Sequence, residues 1–140
     1  MKGTAAMKKY WLLTVRGSFS SAHSLRNYMG KCENMHGHNY LAEYSVQGDT
    51  LSEDTEILAD FSVLKRILES KLDVLDHRFI NEVPPFDRIN PSAENLARYL
   101  WGELEPEIKK LGVKLVSVSV SEKDTQTATY REVDDGERHA

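Results

Sequence analysis

Apolar and polar residues alternate along residues 10–23 and again along 38–46, where Tyr40, Ala42, Tyr44 and Val46 fall on one face. A period of two predicts two strands, the second closed by Gly48-Asp49. From residue 61 the period changes. Phe61, Leu64, Ile67, Leu68, Leu72 and Leu75 recur at helical spacing, with Asp60 or Ser62 placed to cap the helix. Residues 81–91 hold three prolines and read as a loop. Ser92 then offers an N-cap, with Glu94 in the first turn and Leu96, Leu100, Trp101 and Leu104 as an apolar stripe. Pro106 is expected to end or kink this second helix. In VKLVSVSVSEKD, residues 113–124, Val116, Val118 and Val120 are expected to point one way and Ser117, Ser119 and Ser121 the other. A last strand is expected over 127–133. The order ββααββ predicts an α+β fold, a four-stranded antiparallel sheet with two helices on one face. No repeat or linker interrupts it, so residues 1–140 read as one domain, with 1–7 a loose leader and 134–140 a frayed tail.

Composition narrows the function classes. The chain has 140 residues, 40% hydrophobic and 29% charged, which fits a globular domain with a real core. A formal net charge of −4 argues against non-specific nucleic-acid binding, so an anionic ligand needs a local basic pocket. The first apolar run, residues 10–15, is too short for a signal sequence or a membrane span. The single Cys32 has no second cysteine to pair with, which fits a reducing cytoplasm.

The chemistry concentrates in KCENMHGHNY, residues 31–40. His36 and His38 are two apart at the start of a strand, so both imidazoles project from one face. His23 ends the preceding strand and can approach them if the two strands pair. Three neutral imidazoles suit Zn²⁺ and leave a fourth position open, the pattern of a catalytic site. The plainer reading is three polar loop histidines. Cys32, beside Lys31, is a fourth ligand, a nucleophile or base, or a small buried side chain. Asp76-His77 can form an oriented acid/base pair or merely end a helix. Glu122 continues the apolar face of its strand. Either the strand has left the core there, or an acceptor-only carboxylate waits for a ligand with two adjacent N–H donors.

Taken in order, FSSAH, CENMHGHNY, ADFSVLK, LDHRFIN, NPSAENLARYLW and VSVSEKDT resemble the 6-pyruvoyltetrahydropterin synthase and 6-carboxytetrahydropterin synthase family over residues 10–132. The resemblance implies a tunnelling fold, in which ββααββ subunits join into a trimeric β-barrel and two trimers stack into a hexamer. It implies zinc held by His23, His36 and His38, proton transfer by Cys32 opposite the pair Asp76 and His77, and a pterin ring anchored by Glu122. The implied substrate is 7,8-dihydroneopterin triphosphate, which loses triphosphate. In the carboxypterin branch the side chain is also cleaved, releasing acetaldehyde on the route to queuosine. Lys31, Arg26, Arg78 and Lys123 are the candidate cations for the triphosphate.

One departure bears on the product. Glu33 follows Cys32, so the stretch reads both as C-x-x-x-H-G-H and as E-x-x-H-G-H. The second pattern resembles a branch that uses the Glu to make 6-hydroxymethyl-7,8-dihydropterin, a folate precursor. Cys32 and Glu33 point to opposite sides if the segment is extended. A thiolate beside a cation is the better base at neutral pH, which favours Cys32 and the 6-carboxy product. Two other classes fit parts of the sequence. Gly30, His36, His38 and Glu43 resemble the first motif of a cupin, an iron oxygenase or sugar-binding barrel. That fold needs a second motif with another late His, and only His77 and His139 follow. A non-enzymatic zinc-stabilised oligomer would use the three histidines but leaves Cys32, His77 and Glu122 unexplained.

Overall fold

The computed structural model describes residues 7–27, 35–134 and 136, with His36 described in its backbone. Cys32 and Glu33 lie outside the described residues. Four antiparallel strands form one sheet in sequence order: β1 (Trp11–His23), β2 (His36–Gly48), β3 (Lys114–Lys123) and β4 (Gln126–Tyr130). Between β2 and β3 come α1 (Phe61–Leu72) and α2 (Ala93–Lys110).

Alternation decides which face of the sheet the helices cover. Val15 and Phe19 of β1, Tyr40, Ala42, Tyr44 and Val46 of β2, and Val118 and Val120 of β3 are buried. They meet Leu64, Leu68 and Leu72 of α1 and Leu96, Leu100, Leu104 and Ile108 of α2 in one core. The other sheet face is rich in hydroxyls that bond across strands: Thr14 with Ser45, Ser119 with Thr129 and Ser121 with Thr127, each at 2.7 Å. Gly17 marks the closest approach of β1 to α1. A Cβ there would lie 2.9 Å from Leu72 Cδ1 and 3.3 Å from Leu68 Cδ2. Gly17→Val is therefore expected to cost about 1–3 kcal/mol through overpacking. A denaturant midpoint unchanged from wild type would show that the helix can retreat.

Capping follows the sequence. Asp60 accepts from the Ser62 N–H at 2.8 Å, and Ser92 Oγ accepts from the Asn95 N–H at 3.1 Å. Two expectations need correction. Pro106 does not end α2, which runs on to Lys110. The proline forfeits one backbone hydrogen bond, but Leu104 and Ile108 on either side of it are buried on the same stripe and hold the last turn to the core. Val116 does not share the face of Val118 and Val120. A register shift opposite Ser45 and Val46 makes Leu115 the buried residue. Period-two reading misses a bulge because the extra residue inverts everything before it.

Candidate functional site

The β1–β2 register sets the first layer of the site. Ser21 lies opposite His38 and His23 opposite His36, as pairing of the two strands requires. His23 is buried, and its Nδ1 lies 3.0 Å from the Pro91 carbonyl oxygen. A carbonyl only accepts, so Nδ1 carries the proton and the ring's lone pair is on Nε2. That tautomer is the one a metal ligand needs, with a backbone carbonyl behind it to fix ring orientation. His23 and His38 meet edge to face with centroids 5.2 Å apart.

Glu122 completes this layer from β3. One ligand atom from each of His23, His38 and Glu122 lies within 4.8 Å of the other two. The register shifts between Ser121 and Lys123, so Glu122 stands at a bulge, where a strand re-aims a side chain. Two imidazoles and a carboxylate are borderline-hard donors that fit a zinc-type ion, and the backbone of His36 adjoins them across from His23.

Two clefts are lined by members of this group. One, of about 470 Å³, is lined by Glu122, Glu94, Ala93 and β4 residues 126–129. The other, of about 430 Å³, is lined by His38, Gly37, Asn39, Ser20, His77 and Arg78. The structure thus brings together His23, His38, Glu122 and, through the second cleft, His77.

The Asp76–His77 pair is built against the edge of β1. Asp76 accepts from the Ser20 backbone N–H at 2.8 Å and contacts His77 Nδ1 at 2.9 Å. The Ser20 N–H, helped by His77, holds the Asp76 carboxyl below the usual carboxylate range. Asp76 therefore stays ionised well into acid, and its hold on the imidazole is lost only as pH falls through that lowered value. His77 has φ +56°, and in that left-handed conformation its N–H donates to the Ser20 carbonyl at 2.6 Å. Such a backbone costs about 1–3 kcal/mol in a non-glycine residue and recurs at functional sites. With Nδ1 taken by Asp76, Nε2 is the ring nitrogen left for another partner.

Other candidates are placed differently. The Arg26 guanidinium donates to the carbonyls of Phe86, Ile89 and Asn81 at 2.7, 3.0 and 3.4 Å, so it clamps a loop. Arg78 lines the His77 cleft, and Lys123 lines a third with Glu122. Sequence reasoning passed over Glu94 as only a helix-start residue. It also passed over Asn81 and Asn90, whose amides bond both backbone groups of Ser24 and of Arg26 at 2.9 Å. These amides pin the chain that leads into the Cys32 segment. The third omission is Tyr40. It is 1% exposed and its hydroxyl has no hydrogen-bond partner among the described residues, a cost of about 1–3 kcal/mol.

Comparison with known proteins fits this arrangement. The profile of the family described as 6-pyruvoyl tetrahydropterin synthase matches residues 12–133. The chain belongs to that family. It is 35% identical over 137 residues to the 6-pyruvoyl tetrahydrobiopterin synthase of Dictyostelium discoideum, covering 89% of this chain and 98% of the relative. It is 34% identical over 125 residues to the 6-carboxy-5,6,7,8-tetrahydropterin synthase of a Synechocystis species, covering 86% and 92%. The solved 6-pyruvoyl tetrahydropterin synthase of Caenorhabditis elegans superposes with a TM-score of 0.78 at 25% identity, over 89% of this chain and 97% of that one. The four-stranded sheet with two helices on one face is thus the T-fold subunit of a family of pterin synthases.

Proposed function

We propose that the chain is a 6-carboxytetrahydropterin synthase that takes 7,8-dihydroneopterin triphosphate and expels triphosphate. The observation that carries this is the closeness of two clefts: Glu122, which lines one, and His38, which lines the other beside His77, present ligand atoms within 4.8 Å of each other and of His23. A substrate with a flat ring and a hydroxylated side chain spans that arrangement.

Glu122, which also lines a cleft, accepts the two adjacent N–H groups of the pterin edge rather than binding the metal, whose third ligand is then His36. His23, His36 and His38 hold zinc. Bound zinc supplies Lewis acidity that lowers the pKa of the side-chain hydroxyls. Cys32 removes a side-chain proton, and His77 Nε2, oriented by Asp76, moves one from the opposite side. Arg78, Lys123 and Lys31 are the cations proposed for the triphosphate. Relatives of both names match at 34–35% identity, so the product assignment rests on the Cys32 spacing to His36. The neighbouring Glu33 supports a second reading, cleavage to 6-hydroxymethyl-7,8-dihydropterin. We further propose that subunits close edge to edge into a trimeric barrel and stack as a hexamer, since the outer edge of β4 and residues 11–19 of β1 remain to be paired.

The test is direct. Zinc-loaded protein incubated with 7,8-dihydroneopterin triphosphate is expected to consume water and release inorganic triphosphate, acetaldehyde and 6-carboxytetrahydropterin. Absence of triphosphate release from assembled, metal-loaded protein would overturn the reading.

A further inference from the structure

The Asn90 side chain grips the backbone just beyond His23. Its Oδ1 accepts from the Arg26 N–H and its Nδ2 donates to the Arg26 carbonyl, each at 2.9 Å. The next residue, Pro91, turns its carbonyl oxygen to His23 Nδ1 at 3.0 Å. These contacts close a ring. It runs from His23 along the backbone to Arg26, across to Asn90, and back through Pro91 to the His23 imidazole. The side chain of His23 is therefore aimed by the same loop that its own backbone holds in place.

Few joints in that ring can turn. The φ of Pro91 is fixed by its pyrrolidine, and a residue before proline is confined to extended backbone, which limits Asn90. The angle left to aim the carbonyl is ψ of Pro91, and Ser92 holds it from the other side. Ser92 Oγ accepts from the Asn95 N–H at 3.1 Å as the N-cap of α2, and Asn95 Nδ2 donates to the Asn90 carbonyl at 2.9 Å. Pro91 and His23 are both buried, where a hydrogen bond is electrostatically stronger than in water. We propose that Asn90 is a positioning residue for metal binding. Through the Pro91 carbonyl it fixes the plane and tautomer of the His23 ring, so that Nε2 is presented before the ion arrives and binding does not have to supply that order. The proposal goes beyond the reaction and rests on the reading above only for His23 as a zinc ligand.

The test measures zinc affinity of the full-length protein by competition with a chromophoric chelator, beside the thermal midpoint of the zinc-free protein. Asn90→Ala is expected to weaken zinc binding about tenfold, the low end for loss of a ligand's supporting partner. Gly17→Val disturbs the packing of β1 on α1 instead, and is expected to lower the midpoint while keeping wild-type affinity. Asn95→Ala removes the tie to Asn90 but puts a better helix former in α2, so it is expected to lose affinity by a smaller factor with no fall in midpoint. Unchanged affinity in folded Asn90→Ala overturns the proposal. An equal loss in Gly17→Val also overturns it, by tying affinity to overall stability. Should Asn90→Ala not fold, Asn95→Ala decides alone: reduced affinity supports the proposal and wild-type affinity overturns it. Wild type that binds no zinc removes the reading of His23 as a ligand, and the proposal with it.

Discussion

His38→Ala is expected to strip zinc from the protein and abolish turnover while leaving the fold intact. His38 stands at the mouth of the His77 cleft, on a face where His23 and Glu122 also present ligand atoms within 4.8 Å. It is half-buried, so truncating it leaves little cavity. His23→Ala is a less clean test, because that side chain is buried and bonded to Pro91, and its loss removes core packing as well. Losing a first ligand should exceed the roughly 10–100-fold loss of affinity that follows removal of a ligand's supporting partner. The check is zinc per chain by elemental analysis after dialysis, with circular dichroism to confirm folding. Wild-type zinc content in a folded His38→Ala protein would remove His38 from the ligand set. The same outcome would leave the His23–Glu122 pair to be explained as a purely organic site.

Cys32→Ala is expected to reduce kcat by about 10²–10⁴-fold, the usual contribution of a positioned proton-transfer group. KM should change little, since the contact proposed for the pterin ring lies elsewhere, at Glu122. Glu33→Ala, one residue on, should retain most activity and still yield 6-carboxytetrahydropterin. The pair is decided by chromatography of the products. If Glu33→Ala is the inactive variant and wild type accumulates 6-hydroxymethyl-7,8-dihydropterin, the folate-type reaction replaces the one proposed. Because Cys32 and Glu33 are adjacent, each also serves as the control for general disturbance of the segment.

The parts of this molecule that obey a simple period were legible in advance. Both helices, the strand faces around Tyr40, Tyr44 and Val118, and the caps at Asp60 and Ser92 follow from spacing and side-chain chemistry. The approach of His23 to the H-x-H end was legible as a condition, that the two alternating segments pair antiparallel, and they do. Pro106 misled because local propensity was overridden by the burial of Ile108. Val116 misled because a bulge carries no compositional mark. Glu122 was found as an acid on an apolar face, but its position at a bulge was not, although the bulge is what re-aims it. Tyr40 was invisible for the opposite reason. It obeys the core pattern perfectly, and differs from Tyr44, whose O–H donates to the Leu64 carbonyl at 2.6 Å, in that its own hydroxyl meets no acceptor among the described residues. Glu94 and the Asn81 and Asn90 amides required knowing which loops lie side by side, which no periodicity encodes.

The segment at residues 76–79 runs along the last part of β1, where the N–H of His77 donates to the Ser20 carbonyl, that of Ala22 to the Arg78 carbonyl, and Ala22 bridges Phe79. The half of the strand that carries His23 is thereby covered, while the edge at residues 11–19 is unpaired among the described residues. During synthesis this divides the hazard along β1. A newly made chain that has folded this segment offers from β1 the end remote from His23, so a stray strand added there leaves the histidines uncovered. A variant in which residues 76–79 fail to dock should behave differently, recruiting strands along the whole length of β1 and accumulating as insoluble material.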